Sequence, residues 1–214
     1  AGHGGRDPGC IHFGLREHQL ALDIAKRLRN TLETAGVRVL MTRQTDQFIP
    51  LSQRSALANR VQADLFVSIH LNANNSRTVS GSEVYYPRVS VLPERAPWPP
   101  SVSPTELDAP SPIIKQLLWN LVLGRARARS RELASSVCRT MQHDLHAPCR
   151  RVKPAKFVVL REAQMPAVLV EVGYLSNQRE ASRLSRPEYR QAAARAISRG
   201  IIAYLHRTGG RTRS

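Results

Sequence analysis

The 214-residue sequence predicts a single α/β domain: a twisted, mostly parallel sheet flanked by helices on both faces. Three observations predict it. Short apolar runs of strand length alternate with stretches whose apolar residues recur every three to four positions. The length suits one domain with one core. Hydrophobic residues at 42% and charged residues at 22% belong to a globular chain and not to a disordered one.

In chain order, residues 18–35 read as a helix, with Leu20, Ile24, Leu28 and Leu32 on one stripe and Gly36 ending it. Residues 37–42 (V-R-V-L-M-T) read as a short, buried strand. Pro50 precedes a second helix over residues 51–61. Residues 65–69 form a strand with His70 at its C-terminal end, and residues 82–86 form another. From 87 to 112 the composition shifts to Pro and Ser, which predicts an irregular loop. An apolar helix over 113–124, a basic stretch over 125–131 and a helix over 131–143 follow, then strands at 157–160 and 167–171. A terminal helix spans 188–206, so the domain occupies residues 1–208 and 209–214 is a frayed tail. No apolar run approaches the roughly 20 residues of a membrane span.

Formal net charge is +16; Lys26, Lys115, Lys153 and Lys156 are the only lysines among 32 basic residues. Such a surface either attracts a polyanion (nucleic acid, anionic lipid, cell-wall polymer) or is a solvated, arginine-biased exterior. There is no zinc-finger, homeodomain or RNA-recognition signature, and 5% aromatic residues leave little for base stacking, so no nucleic-acid partner is expected. None of the three cysteines has C-x-x-C spacing; Cys138 and Cys149 are a disulfide in an exported chain or two buried thiols.

Ligands of open α/β sheets bind beyond the carboxyl ends of the strands, and His3, His70 and Glu171 fall at or just past such ends. A catalytic metal needs about three protein ligands and one open position. His3 in A-G-H-G-G, His70 in S-I-H-L-N and Glu17, next to the first helix, supply two imidazoles and a carboxylate. Glu171 closes the apolar run V-L-V-E-V-G, where a carboxylate is costly unless something uses it. Plainer readings stand beside these. A loop histidine is usually a surface residue, Glu17 suits a helix N-terminus, Glu171 has many arginines to pair with, and His143 with His146 has metal-pair spacing.

The motifs themselves are specific. A-G-H-G-G-R-D-P-G at residues 1–9, M-T-R-Q-T-D at 41–46, Arg54 with Ala58-Asn59, A-D-L-F-V-S-I-H-L-N-A at 63–73, G-S-E-V-Y-Y at 81–86 and M-P-A-V-L-V-E-V-G-Y-L-S-N at 165–177 follow one another with consistent spacing. In this order they resemble the zinc-dependent N-acetylmuramoyl-L-alanine amidases of the type 3 family, from residue 1 to about 206. The resemblance implies one Zn2+ on His3, Glu17 and His70, with Glu171 as the catalytic carboxylate. It implies hydrolysis of the amide between N-acetylmuramic acid and the L-alanine of the peptidoglycan stem peptide, in wall remodelling or daughter-cell separation. Two features depart from the family pattern: its members carry a strand immediately before the His3 motif, and Cys10 stands where a small residue is usual.

The substrate lies outside the cytoplasmic membrane, so the resemblance implies a periplasmic or extracellular protein with an export signal upstream of Ala1. Division amidases of this family also carry an inserted helix that covers the metal until a protein activator displaces it. Residues 88–124 are expected either to be that insert, with Glu106, then Asp108, as the carboxylate offered to the metal's open position, or to be a lipid- or partner-facing surface helix or a plain structural insertion. Two other functions compete: a carboxypeptidase-type metallopeptidase, and a peptidoglycan-binding module without catalysis. The presence of all four catalytic positions argues against the second.

Overall fold

The computed structural model describes residues 1–88 and 112–209. A small hairpin, β1 (Ile11–His12) and β2 (Leu15–Arg16), leads into α1 (Glu17–Thr34). Then follow α2 (Leu51–Arg60), β3 (Phe66–Asn72), β4 (Ser82–Pro87), α3 (Pro112–Leu145), β5 (Cys149–Ala155), α4 (Val158–Arg161), β6 (Ala167–Tyr174), α5 (Gln178–Leu184) and α6 (Pro187–Thr208). The four longer strands form one sheet in the order β3-β6-β4-β5. β3 runs parallel to β6 and β4 parallel to β5, while β4 and β6 are antiparallel. The sheet is therefore mixed, with parallel pairings in the majority.

The pleat sends alternate side chains to opposite faces. On one face Val168, Val170 and Val172 of β6, Ile69 and Leu71 of β3 and Val84 of β4 join the main core under α1, α3 and α6. On the other, Ala167, Leu169, Phe66 and Tyr85 pack with Val159 and Leu160 of α4 and Ala58 of α2. This second cluster covers only the first part of β6; farther along, the same face carries Glu171. Cys138 and Cys149 form a disulfide that ties α3 to the edge strand β5.

Several expectations need correction. Residues 37–42 form no strand. Val37, Val39 and Met41 do pack against the main core, so their alternation is real, but a strand needs a ladder partner and none of the described residues supplies one. Residues 157–160 are not a strand either: Val158–Arg161 is one helical turn whose buried Val159 and Leu160 roof the second cluster. The strand in that region is β5, whose C-R-R-V-K-P-A sequence hides its alternation among basic residues; Pro154 fits because β5 is an edge. Helix α5, capped by the Asn177 side chain, went unread.

The two helices expected on either side of a basic stretch are one helix of 34 residues, running through Gly124. Its buried stripe continues as small residues, Ala126 and Ser130, while Arg125, Arg127, Arg129 and Arg131 face outward. Ser130 donates to the Ala126 carbonyl and accepts the Ala167 N–H, docking the helix on β6. Glu106 and Asp108 lie outside the described residues, as do 89–111 and 210–214.

Candidate functional site

The site grows out of the N-terminal segment, β3 and β6. Gly2 donates its N–H to the Ile69 carbonyl at 2.8 Å, which lays the segment along β3. Gly2 has no room for a side chain, since a Cβ there would fall 2.2 Å from Cε1 of His70. Two buried arginines hold the segment's carbonyls. Arg43 donates to Gly2 at 2.7 Å and to His18 at 2.8 Å, and Arg54 donates to Ala1 and to His3 at 2.8 Å. His3 sits in a left-handed backbone conformation (φ 54°), sparsely populated by non-glycine residues, and these bonds help maintain it.

His3, Glu17 and His70 converge, with their ligand atoms all within 4.8 Å of one another. Oε1 of Glu17 lies 3.1 Å from Nε2 of His3 and 2.9 Å from Nδ1 of His70. Ligand atoms about 2.0–2.2 Å from a tetrahedral zinc stand roughly 3.3 Å apart, so this donor set fits such an ion. Asp7 Oδ2 lies 2.8 Å from Nδ1 of His3, leaving Nε2 to face the centre, the carboxylate–histidine arrangement that orients metal ligands. Glu17 also accepts the backbone N–H of Cys10 at 2.9 Å and of Leu71 at 3.1 Å. Hydrogen bonds from the two histidines and from Cys10 outweigh burial and hold the Glu17 carboxyl far below the usual carboxylate range. The Glu17 contact raises the pKa of His3 against the opposing effect of burial, whereas burial lowers that of His70. Gly9 (φ 65°) lets the loop pass under this cluster, since a Cβ there would lie 2.6 Å from Glu17 Oε2.

Glu171 stands directly opposite His70 in the β3–β6 register. Its Oε2 is buried and has no hydrogen-bond partner among the described residues. Burial, then the nearby carboxylates of Glu17 and Glu83, push its pKa up to about 8. A carboxyl left this way is disposed to exchange a proton with something in the site.

All four predicted metal and catalytic residues therefore come together on one face. Sequence reasoning gave no role to Asp7, Arg43, Arg54 or Glu83. Glu83 is buried, sits opposite Glu171 in the β4–β6 register, and accepts from the hydroxyls of Tyr85 and, at 3.0 Å, Tyr174. A carboxylate inside the run S-E-V-Y-Y carries the same signal that drew attention to Glu171.

An α/β sheet that gathers two histidines, a glutamate and an unpartnered carboxyl on one face has the layout of a metallohydrolase. The comparisons narrow that class. The N-acetylmuramoyl-L-alanine amidase family profile matches residues 1–203, and the chain belongs to that family. It is 34% identical over 203 residues to N-acetylmuramoyl-L-alanine amidase LytC of Bacillus subtilis, covering 95% of this chain and 34% of that one. Identity to AmiA of Escherichia coli is 33% over 216 residues, covering 96% of this chain and 74% of AmiA. The chain thus spans about a third of the first relative and about three quarters of the second. Among solved structures, amidase AmiC2 of Nostoc punctiforme superposes with a TM-score of 0.74 at 34% identity, covering 96% of this chain and 93% of that one. CwlD of Clostridioides difficile, solved in complex with the GerS lipoprotein, gives 0.76 at 26% identity, with coverage of 96% and 95%.

Proposed function

We propose that this chain is a zinc-dependent amidase domain that hydrolyses the bond between N-acetylmuramic acid and the L-alanine of the stem peptide. The observation that carries the reading is the buried, unpartnered Oε2 of Glu171 in register with His70, beside the His3–Glu17–His70 cluster. His3 through Nε2, Glu17 through Oε1 and His70 through Nδ1 would hold the ion, with Asp7 and Arg54 fixing the His3 ring and backbone. Zinc bound there supplies Lewis-acid polarisation of the amide carbonyl and makes water more acidic. Glu171 takes a proton from the attacking water and returns it to the departing nitrogen of L-alanine. The experiment is mass spectrometry of products from purified muropeptides treated with the zinc-loaded protein. Free stem peptide beginning with L-alanine, together with unsubstituted glycan, supports the amidase. Cleavage inside the peptide would favour the carboxypeptidase-type alternative, and binding without cleavage the non-catalytic module.

The protein acts outside the cytoplasmic membrane on this reading, and the Cys138–Cys149 disulfide suits an oxidising compartment. Among the described residues, no helix is long and apolar enough to cross a membrane. Regulation by residues 88–124, with Glu106 or Asp108 reaching the metal, belongs to the same proposal. The exposed Ile113, Leu117 and Leu121 on the first turns of α3 offer an activator a surface, and the CwlD–GerS complex shows that an amidase of this fold assembles with a lipoprotein. Deletion of residues 100–122 raises basal activity if the segment is a cover.

A further inference from the structure

The sheet registers place four residues in one transverse row. His70 of β3 stands opposite Glu171 of β6, Glu171 opposite Glu83 of β4, and Glu83 opposite Arg151 of β5. The next row holds Leu169, Tyr85 and Lys153. Val152, between the two basic residues, packs toward the main core, so Arg151 and Lys153 lie on the catalytic face. Lys153 places Nζ 5.0 Å from the centre of the Tyr85 ring, the same tyrosine whose hydroxyl bonds Glu83. Arg151 is exposed, and neither it nor Lys153 makes an ion pair among the described residues.

We infer that Arg151 and Lys153 form a subsite for a free carboxylate of the stem peptide, which crosses the sheet from β6 to β5. The inference rests on the amidase reading and adds a direction and a specificity to it. Along the row, the acidic Glu171 and Glu83 come first and the basic pair second. The peptide released by amidase action has matching polarity, with an ammonium at its new N-terminus and side carboxylates beyond. The reach also agrees. Two strand spacings separate Glu171 from Arg151 by about 10 Å. An extended peptide covers about 3.5 Å per residue, so a carboxylate on its second or third residue arrives within the span of the arginine side chain. Guanidinium suits a carboxylate because its fork donates two parallel hydrogen bonds.

The test uses two muropeptides that differ only at the second stem residue, one with a free carboxylate and one with a carboxamide. The zinc-loaded wild type is expected to prefer the free carboxylate about 10-fold or more in kcat/KM, through KM, as for one to two charge-assisted hydrogen bonds. The double substitution R151Q/K153Q removes that preference. The double substitution K26Q/R195Q, which removes two charges from exposed positions on α1 and α6 across the sheet, keeps it. Calorimetric binding of the two released peptides provides a readout independent of turnover and is expected to follow the same pattern. Equal cleavage of both substrates by the wild type, or a preference that survives R151Q/K153Q, overturns the subsite and leaves the amidase standing. Cleavage of neither substrate overturns the amidase reading and the subsite with it.

Discussion

The two faces of the sheet are made by the same strands and do opposite work. On β6, Val168, Val170 and Val172 enter the main core, while Ala167, Leu169 and Glu171 point the other way. The first face is mainly apolar and lies under three long helices. The second is apolar under α4 and becomes polar where His70, Glu171 and Glu83 stand side by side. Period-two alternation therefore separates stability from chemistry within one segment: a residue can be changed on one face without direct contact with the other. The helices keep β6 in place, and the registers with β3 and β4 do the rest.

That division can be broken from either side. The largest effect is expected from His70→Ala or His3→Ala, which removes a proposed metal ligand: zinc binding and turnover are both expected to be lost while circular dichroism reports a folded protein. Chelation of the wild type has the same outcome, and added zinc restores activity. Chelator-resistant activity would reject the metal assignment. On the packing face, Ile197→Ala in α6 empties a fully buried position and lowers unfolding free energy by about 2–5 kcal/mol. Zinc stoichiometry and kcat should remain those of the wild type below the melting temperature. A large change in kcat would mean that the two faces are coupled.

The candidate site was legible chiefly through the order of its motifs, which resemble the amidase family; taken singly, its residues left plainer readings open. A histidine between glycines and a glutamate in a valine run are conspicuous in one dimension. The supporting residues do not break any rule. Arg43 and Arg54 are two arginines in a chain full of them, and only burial against the carbonyls of residues 1–3 distinguishes them. Asp7 needed the fold of the loop to bring it onto His3. The same limit explains the misread elements. Periodicity reports a buried face but not a partner, so residues 37–42 looked like a strand, and β5, with its basic residues and Pro154, did not. The long α3 seemed divided because its stripe passes from large apolar residues to Ala126 and Ser130.

Smaller effects are expected around the cluster. Asp7→Asn should weaken zinc binding by about 10–100-fold, as for outer-shell partners of metal-ligating histidines, when measured against a competing chelator. An unchanged affinity would make the Asp7–His3 contact incidental. The pH dependence of metal-free stability has a definite sign. Glu171 has a folded pKa raised from 4.5 to about 8, so the native state holds a proton that the unfolded state releases. Stability therefore falls as pH rises between these values. Glu17, whose pKa is depressed, acts in the opposite sense: its contribution is present above the usual value of 4.5 and is lost progressively as pH falls below it. Metal-free Glu171→Gln should melt above the wild type at pH 8, with the gap closing toward pH 4.

Glu171→Gln in the zinc-loaded protein separates metal binding from proton transfer on the same face. Zinc content by elemental analysis and turnover on muropeptides are measured on one preparation. One zinc per chain is expected, as in the wild type, with kcat reduced about 100-fold or more, the contribution of a general base. Loss of zinc together with activity would make Glu171 a ligand, and retention of activity would remove it from the reaction.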